Sequence, residues 1–119
     1  STLTDTLNVL LQFSDGSLGT ISYVSNGDRS FPKERIEVFC AGAVAVLENF
    51  KELSFTIHNK TKKWGARSQV KGHSQQLSAF VKSLRDGSPA PIPFESISLT
   101  TRITFNILES LNTGKPVSC

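Results

Sequence analysis

The sequence contains no methionine, which predicts a chain processed or cut from something longer. It has two cysteines, Cys40 and Cys119. Small disulfide-stapled scaffolds are far denser in cysteine, so nothing points to an oxidising compartment. Cys40 lies in an apolar strand pattern and is expected to be a small buried hydrophobe. No apolar run approaches the ~18 residues that a membrane span needs; Val44–Leu47 is far too short. The polar opening Ser1–Asp5 lacks the basic start of a secretory signal. These absences predict a cytoplasmic chain with no membrane segment.

The common catalytic signatures are missing as well. Gly16 and Gly19 lie in a hairpin pattern, not in a Gly-x-Gly-x-x-Gly turn between a strand and a helix, so no cradle for a dinucleotide pyrophosphate is present. His58 and His73 have no cysteine or carboxylate at metal-ligand spacing beside them. No Gly-x-Ser-x-Gly elbow occurs, and neither histidine is spaced to serve a serine or cysteine nucleophile. Glu34 and Glu37 are three apart in an extended stretch and should face opposite ways, which argues against paired-carboxylate hydrolysis. The expectation is no catalytic, cofactor-binding or metal-binding residue in this chain.

Charge is mild. The net value of +3 favours solubility and does not by itself imply a nucleic-acid partner. Much of the excess lies in Lys60, Lys62, Lys63, Arg67 and Lys71, interleaved with Trp64. Such a stretch, Lys60–Lys71, could bind a phosphate backbone and stack a base. A solvated hairpin tip or loop is the favoured reading, because the rest of the chain is not basic.

What is present is a change of period. Leu7, Val9, Leu11 and Phe13 alternate with Asn8, Leu10 and Gln12 and read as a strand with one strongly apolar face. Ser14-Asp15-Gly16-Ser17 has turn chemistry, and Leu18–Val24 reads as the return strand. Ser25–Pro32 breaks the pattern and is expected to be a loop. Arg35–Cys40, Ala43–Leu47 and Leu53–Ile57 follow as short strands joined by turns. Beyond residue 70 the spacing becomes helical: Leu77, Phe80, Val81 and Leu84 form one stripe, ended by Asp86-Gly87. The proline-rich link Ser88–Pro93 leads to a second helix from about Phe94 to Leu111, closed by Gly114 and Pro116. The expected fold is α+β: a mostly antiparallel open sheet of about five strands, then two helices packed on one face, in one domain over 1–119.

Several of these segments resemble the C-terminal domain of the Gfo/Idh/MocA oxidoreductases, the relatives of glucose–fructose oxidoreductase and inositol dehydrogenase. The run Asn8–Tyr23, with Phe13-Ser14-Asp15-Gly16-Ser17-Leu18-Gly19-Thr20 at its centre, is similar to that domain's hairpin. Arg35-Ile36-Glu37-Val38-Phe39, Gly42 and Ala45-Val46-Leu47 resemble its next pair of strands. Lys71-Gly72-His73 with Leu77, Ala79, Phe80 and Val81, then Gly87 and Pro91-Ile92-Pro93, resemble its late helix and link. Thr101-Arg102 through Glu109-Ser110-Leu111, and Thr113-Gly114-Lys115-Pro116-Val117, resemble its closing helix. The wording is also similar to variants fused behind a zinc alcohol-dehydrogenase-like region.

The resemblance implies the later part of an oxidoreductase C-terminal domain, inactive alone, behind an upstream nucleotide-binding domain of the same polypeptide. It implies hydride transfer between NAD or NADP and a sugar, polyol or related substrate, and a homo-oligomer formed through the open sheet face. The family's Glu-Lys-Pro lysine has no counterpart, since Lys115-Pro116 follows Gly114. Its Asp-x-x-x-His pair is absent too, because Ser54 and Gln69 stand four before His58 and His73. Tyr23, Arg29 and Lys33 are the residues expected nearest a substrate, Tyr23 stacking on a sugar ring and the two cations holding hydroxyl or acidic groups. The rival expectations are a stand-alone interaction or ligand-binding module, and a nucleic-acid binder acting through Lys60–Lys71.

Overall fold

The computed structural model describes residues 6–118. Six strands and two helices follow one another: β1 (Thr6–Gln12), β2 (Leu18–Val24), β3 (Arg35–Cys40), β4 (Ala43–Glu48), β5 (Glu52–Ile57), β6 (Lys60–Gly65), α1 (His73–Asp86) and α2 (Phe94–Thr113). All pairings are antiparallel, and the strands form a two-stranded and a four-stranded sheet, the latter in the order β3-β4-β5-β6. The α+β reading therefore holds, with strands before helices. The chain divides into two compact units, one running through Asn26 and resuming at Ser74, the other spanning Gly27–His73.

In the first unit, β1 and β2 form the expected hairpin. Leu7, Val9 and Leu11 sit opposite Tyr23, Ile21 and Gly19 on one face, while Leu10, Leu18 and Val24 lie on the other. The turn is built locally: Asp15 Oδ1 accepts from Ser17 N at 2.9 Å and from Ser17 Oγ at 2.6 Å. Those bonds hold the Asp15 carboxyl below its ordinary pKa, the side-chain bond from Ser17 being the larger cause. A Cβ at position 19 would lie 3.4 Å from Phe13 Cε2, so Gly19 leaves room for that ring.

The helices begin and end close to where the residue pattern placed them. α2 starts after Pro93 and stops at Gly114, whose left-handed backbone (φ 67°) lets its N–H donate to Ser110 O at 2.8 Å. The α2 threonines donate back along the helix, Thr100 Oγ1 to Ser96 O at 2.8 Å and Thr101 Oγ1 to Ile97 O at 3.0 Å. No helix among the described residues is long and apolar enough to cross a membrane.

The second unit is a meander with two clearly different faces. Directly paired residues share a face, so the register sorts the side chains. Ile36, Val38 and Cys40 of β3 join Ala43, Ala45 and Leu47 of β4 on one side. Leu53, Phe55 and Ile57 of β5 continue it, followed by Trp64, Lys62 and Lys60 of β6. The opposite face carries the ion pairs beside Phe39, Val44 and Val46: Arg35 pairs with both Glu37 and Glu48, and Lys63 reaches Glu52 at 3.5 Å. Thr56 Oγ1 and Thr61 Oγ1 hydrogen-bond across the β5–β6 pair at 2.9 Å. β6 is the strand the sequence pattern did not declare. Its lysines hide the alternation, and it forms because β5 presents an open edge after the His58-Asn59 turn.

Two-residue turns close β3–β4 and β5–β6, with positive φ at Ala41 (48°) and Gly42 (77°), and at His58 (49°) and Asn59 (58°). This pattern matches the right-handed twist of adjoining strands. Cys40 corrects one expectation. It is a free thiol and exposed, because it ends the edge strand β3. Among the described residues no hydrophobic side chain is buried, and Ser83 is the buried residue. Ile36, Val38, Leu53, Phe55 and Trp64 on the apolar sheet face are exposed, as are Leu77, Phe80, Val81 and Leu84 on α1.

Candidate functional site

The loop ahead of β3 is shaped by its own side chains. Asp28 Oδ1 accepts from Ser30 N at 2.8 Å and from Ser30 Oγ at 2.6 Å, and Phe31 N donates to Asp28 O at 3.1 Å. Asparticacid-initiated turns of this kind fold without tertiary help. The Ser30 side chain is the larger cause, and the Ser30 backbone the second, holding the Asp28 carboxyl below its ordinary pKa. Arg29 sits inside this turn and Lys33 lies just beyond it.

Two other segments of the same unit close on that loop. Asn49 N, in the β4–β5 turn, donates to Glu34 O at 2.6 Å. Val70 N donates to Phe50 O at 2.8 Å, and Gln69 Nε2 donates to Asn49 Oδ1 at 2.5 Å. Lys71 Nζ lies 2.8 Å from Glu34 Oε1 and 5.6 Å from the centre of the Phe50 ring. Asn49 and Phe50 both take positive φ, 50° and 51°. That conformation is easy for asparagine and costly for an aromatic residue, and the bonds from Val70 and Lys71 hold it in place.

The three segments line a cavity of about 250 Å³, walled by Arg29 to Glu34 together with Asn49, Gln69 and Lys71. Neither Arg29 nor Lys33 forms an ion pair with a described residue. Three cations face one carboxylate, so the cavity attracts negative charge. Glu34 Oε2 is enclosed and accepts no hydrogen bond. A buried acceptor left unpaired is costly, and Glu34 carries that cost at Oε2.

Of the three residues expected near a substrate, the fold brings Arg29 and Lys33 to one cavity. Tyr23 lies on β2, opposite Leu7, in the other unit. Asn49 was not singled out in the sequence, and Glu34, Gln69 and Lys71 were weighed only in other roles. Glu34 precedes β3 and turns to Lys71, while Glu37 turns to Arg35, so the two carboxylates do diverge. The basic stretch Lys60–Lys71 is divided likewise. Lys60 and Lys62 share the apolar face, Lys63 joins Glu52 on the other, and Lys71 joins Glu34. No group of three metal-binding side chains occurs among the described residues.

No protein-family model, curated protein or solved structure matches the chain. Its chemistry is therefore argued from the cavity and the two faces of the sheet.

Proposed function

We propose that this chain is the substrate-side and subunit-contact domain of a cytoplasmic NAD- or NADP-dependent oxidoreductase acting on a sugar, polyol or related compound. The nucleotide-binding domain stands upstream in the same polypeptide, and this chain does not catalyse alone. The observation that carries the reading is the pairing of a polar, cation-lined cavity with an apolar sheet face in one unit. A cavity walled by Arg29, Lys33, Asn49 and Gln69 suits a hydroxyl-rich substrate. An exposed face bearing Ile36, Val38, Leu53, Phe55 and Trp64 is stable in water when another protein surface covers it. A second copy of the chain, meeting this face with its own, is the occupant that the resemblance to the Gfo/Idh/MocA C-terminal domain supplies.

The test is an immunoblot of source cells with an antibody raised to this chain, followed by purification of the recognised protein. A band far above 13.0 kDa whose purified protein reduces NAD or NADP with a sugar or polyol is the expected result. A band at 13.0 kDa with no such activity would reject the enzyme reading and leave a stand-alone binding module.

A further inference from the structure

We propose that Asn26 is a modification site: its side-chain amide condenses with the backbone nitrogen of Gly27, and the chain ages there into aspartyl and isoaspartyl products. This goes beyond the substrate-side reading and is independent of it. Three observations single the pair out. First, asparagine stands at six positions, and only at 26 does glycine follow. The reaction needs the nitrogen of the next residue to approach the side-chain carbon. Glycine puts no Cβ in the way and allows the widest range of backbone angles.

Second, the pair is exposed in the loop between β2 and β3. No hydrogen bond from a described residue engages the Asn26 side chain or Gly27 N. A Cβ built at 27 would meet nothing within 4 Å, so the backbone there has room to turn. The other asparagines are held. Asn8 lies inside β1, Asn106 and Asn112 lie inside α2, and Asn59 precedes the paired residue Lys60. Asn49 has its Oδ1 bound by Gln69 Nε2. Third, the related Asp15-Gly16 pair shows a protected arrangement. Gly16 N donates to Phe13 O at 3.0 Å, and Asp15 Oδ1 accepts both from Ser17 N and from Ser17 Oγ.

The chemistry needs only water. Gly27 N loses its proton to hydroxide and bonds to Asn26 Cγ. The Cγ–Nδ2 bond breaks, and the nitrogen leaves as ammonia with a proton from water, which restores the hydroxide. Water then opens the cyclic imide. Attack at Cγ gives an aspartyl residue, whereas attack at the main-chain carbonyl carbon leaves the backbone running through Cβ and Cγ as isoaspartate. One water is taken up, one ammonia is released, and nothing is oxidised or reduced. Either product adds a negative charge two residues before Asp28, which shapes the turn at Ser30. The isoaspartyl form also lengthens the main chain by one methylene where the first unit gives way to the second, ahead of the loop that walls the cavity. Its free carboxylate suits one class of partner, the carboxyl methyltransferases that esterify isoaspartyl groups with S-adenosylmethionine.

The test incubates the full chain in mildly alkaline buffer at physiological temperature and locates mass changes by tandem mass spectrometry. Position 26 is expected to gain one dalton about tenfold faster than any other asparagine, and to react within about tenfold of a free peptide of residues 23–29. The main product should accept a methyl group from an isoaspartyl carboxyl methyltransferase supplied with S-adenosylmethionine. Gly27→Ala, whose Cβ enters open space, should keep the fold and slow the reaction about tenfold. Asn26→Gln, which would have to close a larger ring, should slow it further. Three outcomes would each overturn the proposal: no mass gain at 26, a gain at Asn49 or Asn59 that is as fast, or an unchanged rate in Gly27→Ala. A product that accepts no methyl group would overturn the isoaspartyl assignment.

Discussion

Lys71 Nζ reaches Glu34 Oε1 at 2.8 Å across 37 residues of sequence, and the same ammonium lies 5.6 Å from the centre of the Phe50 ring. One side chain thus ties the end of the four-stranded unit to the loop that starts it and to the β4–β5 turn. Both partners of the pair remain about a third exposed, 39% and 32%, so water screens the attraction.

Lys71→Met should therefore destabilise the unit by only about 0.5–1 kcal/mol, and the loss should shrink in high salt. Urea unfolding at low and high ionic strength measures both. A double-mutant cycle with Glu34→Gln isolates the pair from the contribution of Phe50.

Asp15 and Asp28 both have carboxyl groups held below the ordinary value of 3.8, each by a serine two residues on. A depressed carboxyl stabilises the fold above its unfolded pKa, and the contribution is lost as pH falls through the lower, folded value. The two turns should consequently loosen only below about pH 4, where these carboxylates gain protons. Amide shifts of Ser17 and Ser30 followed through an acid titration should move together with those carboxyls. Asp15→Asn should abolish the acid-dependent part at Ser17 and leave Ser30 unaffected.

Ala41 has a left-handed backbone with φ 48°, next to Gly42 at 77°. A Cβ in that conformation costs roughly 1 kcal/mol, and asparagine tolerates it better than alanine. Ala41→Asn should raise stability by about 0.5 kcal/mol, whereas Gly42→Val should lower it by about 1–2 kcal/mol. Thermal melts of the two variants should shift in opposite directions.

Phe55 and Val38 lie on the apolar face of the sheet, and Thr56 lies on the charged one. If a second copy covers the apolar face, Val38→Glu with Phe55→Glu should turn a concentration-dependent oligomer into a monomer in sedimentation equilibrium. Thr56→Glu should leave the association unchanged. An oligomer insensitive to the paired glutamates would remove the sheet face from the interface.

Cys40 shares that face and is exposed in the single chain. Its alkylation by a maleimide should be fast in dilute solution and slow as concentration promotes association. Equal rates at all concentrations would count against coverage of the face.

Much of this architecture is carried by short-range chemistry. Asp15 and Asp28 each fold their turn through a serine two positions away, and the period-two runs around Val9, Val38 and Phe55 announce strands without a partner in view. The 3.6-residue stripe of Leu77, Phe80, Val81 and Leu84, with Asp86-Gly87 behind it, marks α1 as plainly. β6 escaped because Lys60, Lys62 and Lys63 carry no hydrophobic alternation, and its extended form depends on the open edge of β5.

The residues around the cavity divide in the same way. Sequence alone determined the period of every element but β6, the turns that join the strands and the placing of Arg29 and Lys33 in one loop, because each depends on neighbours only a few positions apart. Tertiary structure decided that Asn49, Gln69 and Lys71 would meet Glu34, and that Cys40 would stand exposed at an edge. Those outcomes depend on strand register and on which edges remain open. Each hairpin's register follows from its own turn, but the meeting of Glu34 with Lys71 joins segments 37 residues apart and depends on how the strands stack in order.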